Sequence, residues 1–254
     1  MTPARDGEAD TDGICLKELT EEQQFQDAVE LQNTIWGFGE RGVIPVRFFF
    51  VTERIGGHII GAFDGSRLVA FCLAVPGVDR RLKPYLHSHM LGVLPEYRAR
   101  GIGRRLKLIQ RSDALARGID LIEWTFDPLE LGNARFNIEL LGATVSAYAR
   151  NEYGASFSHV PGALPSDRCV AGWRLNSERV RAIVAGDPAR HRNVSGRIMV
   201  PADIAKIRRE DPRRAREIQQ GVAGDFERFF AQGLEVNGFE LTAEAGTYLL
   251  GAAV

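Results

Sequence analysis

Cysteine is scarce in this chain of 254 residues: Cys15, Cys72 and Cys169 stand far apart, odd in number and without Cys-x-x-Cys spacing. A disulfide framework and a zinc-ligand cluster are therefore not expected, and a reducing cytoplasm is the simplest home. No apolar run approaches the about 20 residues that a membrane helix needs, so no membrane partner is expected. Residues 1–13 lack the apolar core of a secretory signal and carry four acids, which reads as a disordered tail. The net charge of −1 gives no global reason to expect a nucleic-acid partner, and none is expected, a basic nucleic-acid module resting on local charge alone being the third reading. No internal repeat is present.

The chain does have 44% hydrophobic residues, enough for a full core. Ile14 to Leu19 reads as a strand, and Thr20 followed by Glu21 and Glu22 reads as a helix N-cap with acids in the first turn. Phe25, Val29, Leu31, Ile35 and Trp36 recur at helical spacing, and a second helix is expected to begin near Pro45. His58 to Phe63, the turn Asp64-Gly65-Ser66 and Arg67 to Val75 predict a β-hairpin. A fourth strand is expected over Leu86 to Leu94 and a fifth over Leu121 to Phe126. Between them Ile102, Leu106 and Ile109 mark the apolar side of a helix, with Arg104, Arg105, Lys107 and Arg111 elsewhere and Gly118 as its left-handed cap. Two more strands are expected over Ala143 to Ala149 and Arg168 to Leu175. A Gly/Ser/Pro-rich loop separates them. Beyond Asn176, Asp211-Pro212 predicts a helix start ahead of an apolar stripe of Ala215, Ile218, Val222, Phe226 and Phe229. Phe239 to Thr242 and Tyr248 to Ala252 read as a closing hairpin.

The chemistry concentrates where the fourth strand meets its helix. Leu91-Gly92-Val93-Leu94-Pro95-Glu96-Tyr97-Arg98-Ala99-Arg100-Gly101-Ile102-Gly103-Arg104 runs a strand through a basic, glycine-punctuated turn into a helix. Gly101 and Gly103 let the backbone approach an anion, the helix start offers unpaired N–H groups, and Arg98, Arg100 and Arg104 add charge. A pyrophosphate is the expected ligand. From Arg98 to Arg117 six arginines and one lysine face a single acid, Asp113; a phosphorylated cofactor accounts for part of that stripe and solvated helix surface for the rest. A Walker loop is excluded because no Lys-Ser/Thr pair follows the glycines. Gly37-Phe38-Gly39-Glu40-Arg41-Gly42 fits the letter of a dinucleotide fingerprint but opens no helix, and reads as a flexible loop.

Val93 to Gly103, with the pattern Val-x-Pro-x-Tyr-Arg-x-x-Gly-x-Gly, resembles motif A of the GNAT superfamily of N-acetyltransferases, in which this turn binds the pyrophosphate of coenzyme A. The resemblance implies an α/β fold with a mixed, mostly antiparallel central sheet flanked by helices. It covers about Ile14 to Leu175, which gives a tail at 1–13, an acyltransferase core at 14–175 and a C-terminal helix-plus-hairpin extension at 176–254, packed on the core or at a homodimer interface. Trp124 to Leu129, Asn133 to Asn137 and Leu164 to Arg168 look like a subgroup of long bacterial acyltransferases, some of which are associated with N-succinylation of amino acids. The cofactor implied is acetyl-CoA or another acyl-CoA, succinyl-CoA included, and the acceptor a small-molecule amine or amino acid.

The resemblance also implies that strands four and five splay apart, that Leu91, Gly92 and Val93 bind the pantetheine and thioester, and that the loop near Gly37 to Gly42 walls the acceptor site. Arg98, Ala99, Arg100, Gly101, Ile102, Gly103 and Arg104 would hold the pyrophosphate, and Asn133 matches a helix-opening asparagine near pantetheine, or else is an N-cap. Attack of an amine on a thioester needs a base, an oxyanion donor and an acid for the thiolate. Glu123 is the candidate base, on the strand face opposite Ile122, Trp124 and Phe126; the alternative is a solvated or ion-paired carboxylate. His87 and His89 share a strand face with Leu91 and are the second candidate for base or substrate contact. As a metal pair at i, i+2 they lack further ligands, and no metal is expected. The family's tyrosine acid falls at Ile138, which cannot donate a proton, so Tyr148 or Tyr153 takes that role, water does, or the chain is a CoA-binding sensor without turnover. Asp167 and Arg168 are candidates for binding the amino and carboxyl groups of an acceptor, or form a loop salt bridge. Cys72, within an apolar strand, reads as a buried inert thiol.

Overall fold

The computed structural model describes residues 12–37, 42–154, 164–187 and 193–253. The chain divides into two compact units, Met1–Ile122 and Glu123–Val254. Each is a mixed α/β unit built on antiparallel strand pairs and carrying helices. Most of the expected tail, residues 38–41 of the glycine loop and much of the Gly/Ser/Pro-rich loop lie outside the described residues. Among the described residues no helix is long and apolar enough to cross a membrane, and the three cysteines are free thiols.

In the first unit, β1 (Ile14–Glu18), β2 (His58–Asp64), β3 (Arg67–Val78) and β4 (Pro84–Val93) follow one another in the sheet, each antiparallel to the next. Helices α1 (Glu22–Trp36), α2 (Val46–Arg54) and α3 (Ile102–Ala116) complete it. Adjacent residues of β3 show which helix lies where, because side chains alternate across a strand. Phe71 meets Trp36 of α1 and Phe49 of α2 at ring centroid distances of 6.2 and 6.3 Å, whereas Cys72 accepts a long contact from Gln110 of α3. So α1 and α2 cover one face and α3 the other. The N-cap of α1 is Glu21 rather than Thr20: Gln24 reaches back to the amides of Thr20 and Glu21 at 2.9 and 3.3 Å, so the helix starts one residue later than a lone threonine cap suggests.

Lys107 departs from its expected solvent position. The buried residues of α3 are Ile102, Leu106, Lys107, Gln110 and Ala114. Four of them form one i, i+4 row, which drifts around the helix because 3.6 residues make a turn, and Lys107 lies on the flank toward which the row drifts. Gly118 follows the helix in the left-handed region, and the amide of Ile119 closes back on Ala114 O at 2.9 Å.

The second unit contains β5 (Leu121–Phe126), whose last four residues belong to it, then α4 (Leu131–Arg135) continuing into a π-helical turn at Phe136–Leu140, β6 (Thr144–Ala149) and β7 (Arg168–Arg174). There follow α5 (Glu178–Ala185), β8 (Gly196–Pro201), α6 (Ile204–Glu210), α7 (Pro212–Ala231), β9 (Leu234–Leu241) and β10 (Ala245–Ala252). The strand order is β5-β7-β6-β9-β10-β8. Phe226 of α7 packs edge-on against Tyr248 at 5.1 Å, and Tyr248, fully buried, donates its hydroxyl to Pro128 O at 2.6 Å. Asp211 caps α7 by accepting from the amide of Arg214 at 2.9 Å, as Asp-Pro predicts. The short elements β8, α5 and α6 have no counterpart among the expected elements.

Candidate active site

The turn after β4 is built around two left-handed residues. Ala99 has φ 61° and Gly101 φ 75°. For alanine this region costs about 1–2 kcal/mol, which glycine does not incur. Gly101 is the N-cap of α3 and no side chain caps the helix, so the amides of Ile102 and Gly103 sit in the first turn without intrahelical acceptors. Arg98 donates Nε to Val93 O at 3.2 Å and thereby braces the turn against the strand. Arg100 lies over the Tyr97 ring at 5.2 Å and donates to Asp12 O at 3.3 Å. Arg105 takes the Asp12 carboxylate at 3.1 Å. Helix-start N–H groups without intrahelical acceptors, next in the chain to several arginines, are a combination that suits a phosphate oxygen.

Upstream, β4 is irregular. Met90 pairs with Leu73 and Ser88 with Ala74, so His89 is an extra residue opposite the bond between Leu73 and Ala74. The bulge reverses the faces. Leu91 pairs with Cys72 on the α3 side and Ser88 with Ala74 on that same side, whereas His87 pairs with Val75 on the opposite one. His87 therefore does not share a face with Leu91, as a regular strand predicts; the side chain that does is Ser88. The rings of His87 and His89 lie 5.9 Å apart. Burial holds both imidazoles below their ordinary pKa, and the charges of His89 and Lys107 push His87 the same way. Gly92 is required by packing: a Cβ there would lie within 3 Å of Trp36 and Ile35.

In the second unit, β5 buries Ile122, Trp124 and Phe126 and leaves Leu121, Glu123 and Thr125 partly exposed on the other face, as the alternation predicts. Thr125 Oγ1 lies 3.0 Å from the hydroxyl of Tyr153, and the guanidinium of Arg168 sits 5.1 Å from the Tyr153 ring centroid. The buried Nε of Arg168 has no hydrogen-bond partner. The expected Asp167–Arg168 pairing is not among the ion pairs of the described residues. Asp167, 5% exposed, instead accepts from the Tyr148 hydroxyl and the Asn151 amide, both at 2.9 Å. Burial first, then the hydrogen bond to Asp167, raises the Tyr148 pKa far above the ordinary phenol value.

Asn133 is exposed in the first turn of α4, whose N-cap is Glu130, so it is not the cap residue. Ile138 is fully buried in the π-helical turn, and its carbonyl accepts from Arg179 at 2.7 Å. Cys72 is fully buried with its thiol pushed up to about 12 by burial, as an inert thiol should be. Among the described residues no three His, Cys, Asp or Glu side chains are grouped to hold a metal. Sequence reasoning missed the Thr125–Tyr153 contact and the inward Lys107. Neither has a local signal beyond a hydroxyl two residues from Glu123 and a lysine next to the buried row.

Residues 22–136 match the family model for acetyltransferases of the GNAT family. The chain carries a GNAT acetyltransferase domain. The family is one of transferases, and the basic turn and β5 both fall within the matched residues. The GNAT fold is also that of solved structures at low identity. The ribosomal-protein-S18-alanine N-acetyltransferase of Escherichia coli is 15% identical, with a TM-score of 0.51 over 65% of this chain and 95% of that one. The yncA protein of Salmonella typhimurium, solved with its cofactor acetyl-CoA, is 14% identical, with a TM-score of 0.53 over 65% and 96%. A chain of the NatC complex bound to Gag peptide and CoA is 15% identical, with a TM-score of 0.51 over 63% and 98%. No curated protein matches the sequence.

Proposed function

We propose that the chain is an acyl-CoA-dependent N-acyltransferase that transfers an acetyl or succinyl group to the amine of a small molecule or amino acid by direct attack on the thioester. The observation that carries this reading is the turn at 98–104, where left-handed Ala99 and Gly101 open the first turn of α3 beside the arginines. Bound acyl-CoA supplies an acyl group activated as a thioester. The amides of Ile102 and Gly103 with Arg98, Arg100 and Arg104 hold its pyrophosphate, and Leu91 to Val93 and Asn133 serve the pantetheine.

Glu123 accepts the proton that an arriving ammonium must lose, with His87 and His89 as the second candidates, since their lowered pKa keeps them neutral near pH 7. The proton for the departing thiolate comes from Tyr153, whose hydroxyl reaches the β5 face of Glu123 through Thr125; the Tyr148 hydroxyl is committed to Asp167. Arg168 takes the carboxylate of an amino-acid acceptor, because its Nε lacks a partner and a guanidinium matches a carboxylate fork. A core at 14–175 with an extension packed on it agrees with the pairing of β9 on β6 at Val145 and Val236. A reducing cytoplasm suits the free thiols, and a homodimer is testable by light scattering.

The test is thiol release from acetyl-CoA and succinyl-CoA against a panel of amino acids and polyamines, after calorimetry with CoA. Amine-dependent release is expected, and carboxylate-bearing amines should lead. A second reading, a CoA-binding sensor without turnover, is favoured by the burial of Ile138 at the family's tyrosine position. Saturable CoA binding with no release for any amine would establish it.

A further inference from the structure

Among the described residues Lys107 is the buried lysine, at 2% exposure. Its Nζ donates to Ser88 Oγ at 2.9 Å and to Gln110 Oε1 at 2.7 Å. Gln110, fully buried, in turn points Nε2 at Cys72 Sγ at 3.9 Å. Ser88 and Cys72 flank the β4 bulge from opposite ends: Ser88 pairs with Ala74 one residue before His89, and Cys72 pairs with Leu91 two residues after it. The Lys107–Gln110 pair on α3 therefore touches both sides of the one irregularity in the β3–β4 ladder.

A bulge is a place where register can slip, and a slip of one residue sends every side chain to the other face. With the extra residue moved by one toward the start of the strand, Ser88 would leave the α3 side. A buried amine that loses an acceptor is expensive, so its hydrogen bonds discriminate between the two registers.

We propose that Lys107 is a positioning residue for acyl transfer: through Ser88 and Gln110 it locks the bulge at His89 and so aims the backbone of Leu91 to Val93. The role in transfer rests on the acyltransferase reading above, whereas the role in register does not.

The test compares Lys107→Met, Ser88→Ala and the double variant in the full chain. Amide hydrogen exchange is followed over residues 86–92, and kcat and KM are measured for acetyl-CoA with the best acceptor of the wild-type protein. Each single variant should speed exchange over the bulge about tenfold while β2 stays protected, and lower kcat about tenfold with KM changed less than about threefold. The double variant should be no worse than Lys107→Met, since both changes break one link. Unchanged exchange at the bulge, or effects that add in the double variant, would overturn the proposal. If Lys107→Met fails to fold, Ser88→Ala, which removes one hydroxyl, decides by the same two criteria. Should the wild-type protein bind CoA yet release no thiol, the acyltransferase reading fails, and the exchange data still decide for or against the lock.

Discussion

The hydroxyls of Tyr153 and Thr125 meet at 3.0 Å, which brings a phenol to the strand face that also presents Glu123. Thr125 and Glu123 are i, i+2 neighbours on β5 and so stand about 7 Å apart on one side of the sheet. Tyr148 has a different setting. Its ring stacks on Phe226 at 5.3 Å and its proton goes to Asp167, so it ties β6 to α7 and to the segment before β7.

Replacing each tyrosine with phenylalanine separates the two settings. Tyr153→Phe should lower kcat about 100-fold with little change in stability, the size expected for loss of a general acid. Tyr148→Phe should leave kcat within about threefold but cost about 1–2 kcal/mol of stability, because Asp167 loses a buried donor. Steady-state kinetics and urea unfolding on both variants check this, and the reverse pattern would make Tyr148 the acid.

Glu123→Gln keeps the shape of the side chain and removes its basicity. The rate should fall by at least about 100-fold and the acidic limb of the pH–rate profile should disappear. An unchanged rate and profile would transfer the role of base to His87 or His89.

For Arg168→Met, KM should rise about tenfold or more for amino-acid acceptors and stay constant for amines without a carboxylate, because the lost fork is specific to that group. Kinetics on one matched pair, an amino acid and its decarboxylated amine, suffice. Equal losses on both would assign Arg168 to structure.

The two left-handed residues of the turn should respond in opposite directions. Gly101→Ala forces a Cβ into a backbone at φ 75° and should cost about 1–2 kcal/mol, with weaker binding of CoA by calorimetry. Ala99→Gly relieves the same strain and should be neutral or stabilising by up to about 1 kcal/mol, the gain being reduced by the greater freedom of glycine in the unfolded chain. Loss of stability on Ala99→Gly would contradict the geometry of the turn.

Lys107 also makes stability depend on pH. Burial lowers its pKa from 10.5 to about 7, so between those values the unfolded chain holds the proton more firmly than the folded one. Stability should therefore rise with pH from about 7 toward 10, by up to about 1.4 kcal/mol per pH unit. The groups around it are Cys72 on β3 and His87 on β4. The Cys72 thiol, raised to about 12, acts in the opposite direction above about pH 9. Below about pH 9 that thiol stays protonated in the folded and unfolded chains alike, so from about pH 7 to 9 the difference between the unfolding free energies of wild type and Lys107→Met isolates the lysine. Parallel curves for the two proteins would show that the amine is not depressed.

Much of the architecture was legible because it is local. The β2–β3 hairpin follows from Asp64-Gly65-Ser66 between apolar runs, the alternation of β5 from its period of two, and the start of α7 from Asp211-Pro212. The shift of the α1 cap to Glu21 was not legible, since it depends on which way the Gln24 side chain turns. The short elements β8, α5 and α6 carry too few periods to stand out from loop.

The candidate site divides in the same way. Arg98 to Arg104 was readable because a glycine turn, a helix start and its charges lie within one stretch of chain. The partners of Tyr148 and Arg168 were not, because they depend on how the chain around them is packed.

The sequence by itself determined the basic glycine turn at 98–104, the two-faced strand at Glu123 and the absence of a tyrosine at 138, since each follows from residue types within about ten positions of one another. The tertiary structure alone decided that β4 bulges at His89, that Lys107 points inward to Ser88, and that Asp167 serves Tyr148 instead of Arg168. The physical reason is that bulges, buried amines and carboxylate partners are settled by competition among packed neighbours distant in the chain. The outcome of that competition is written in no single segment.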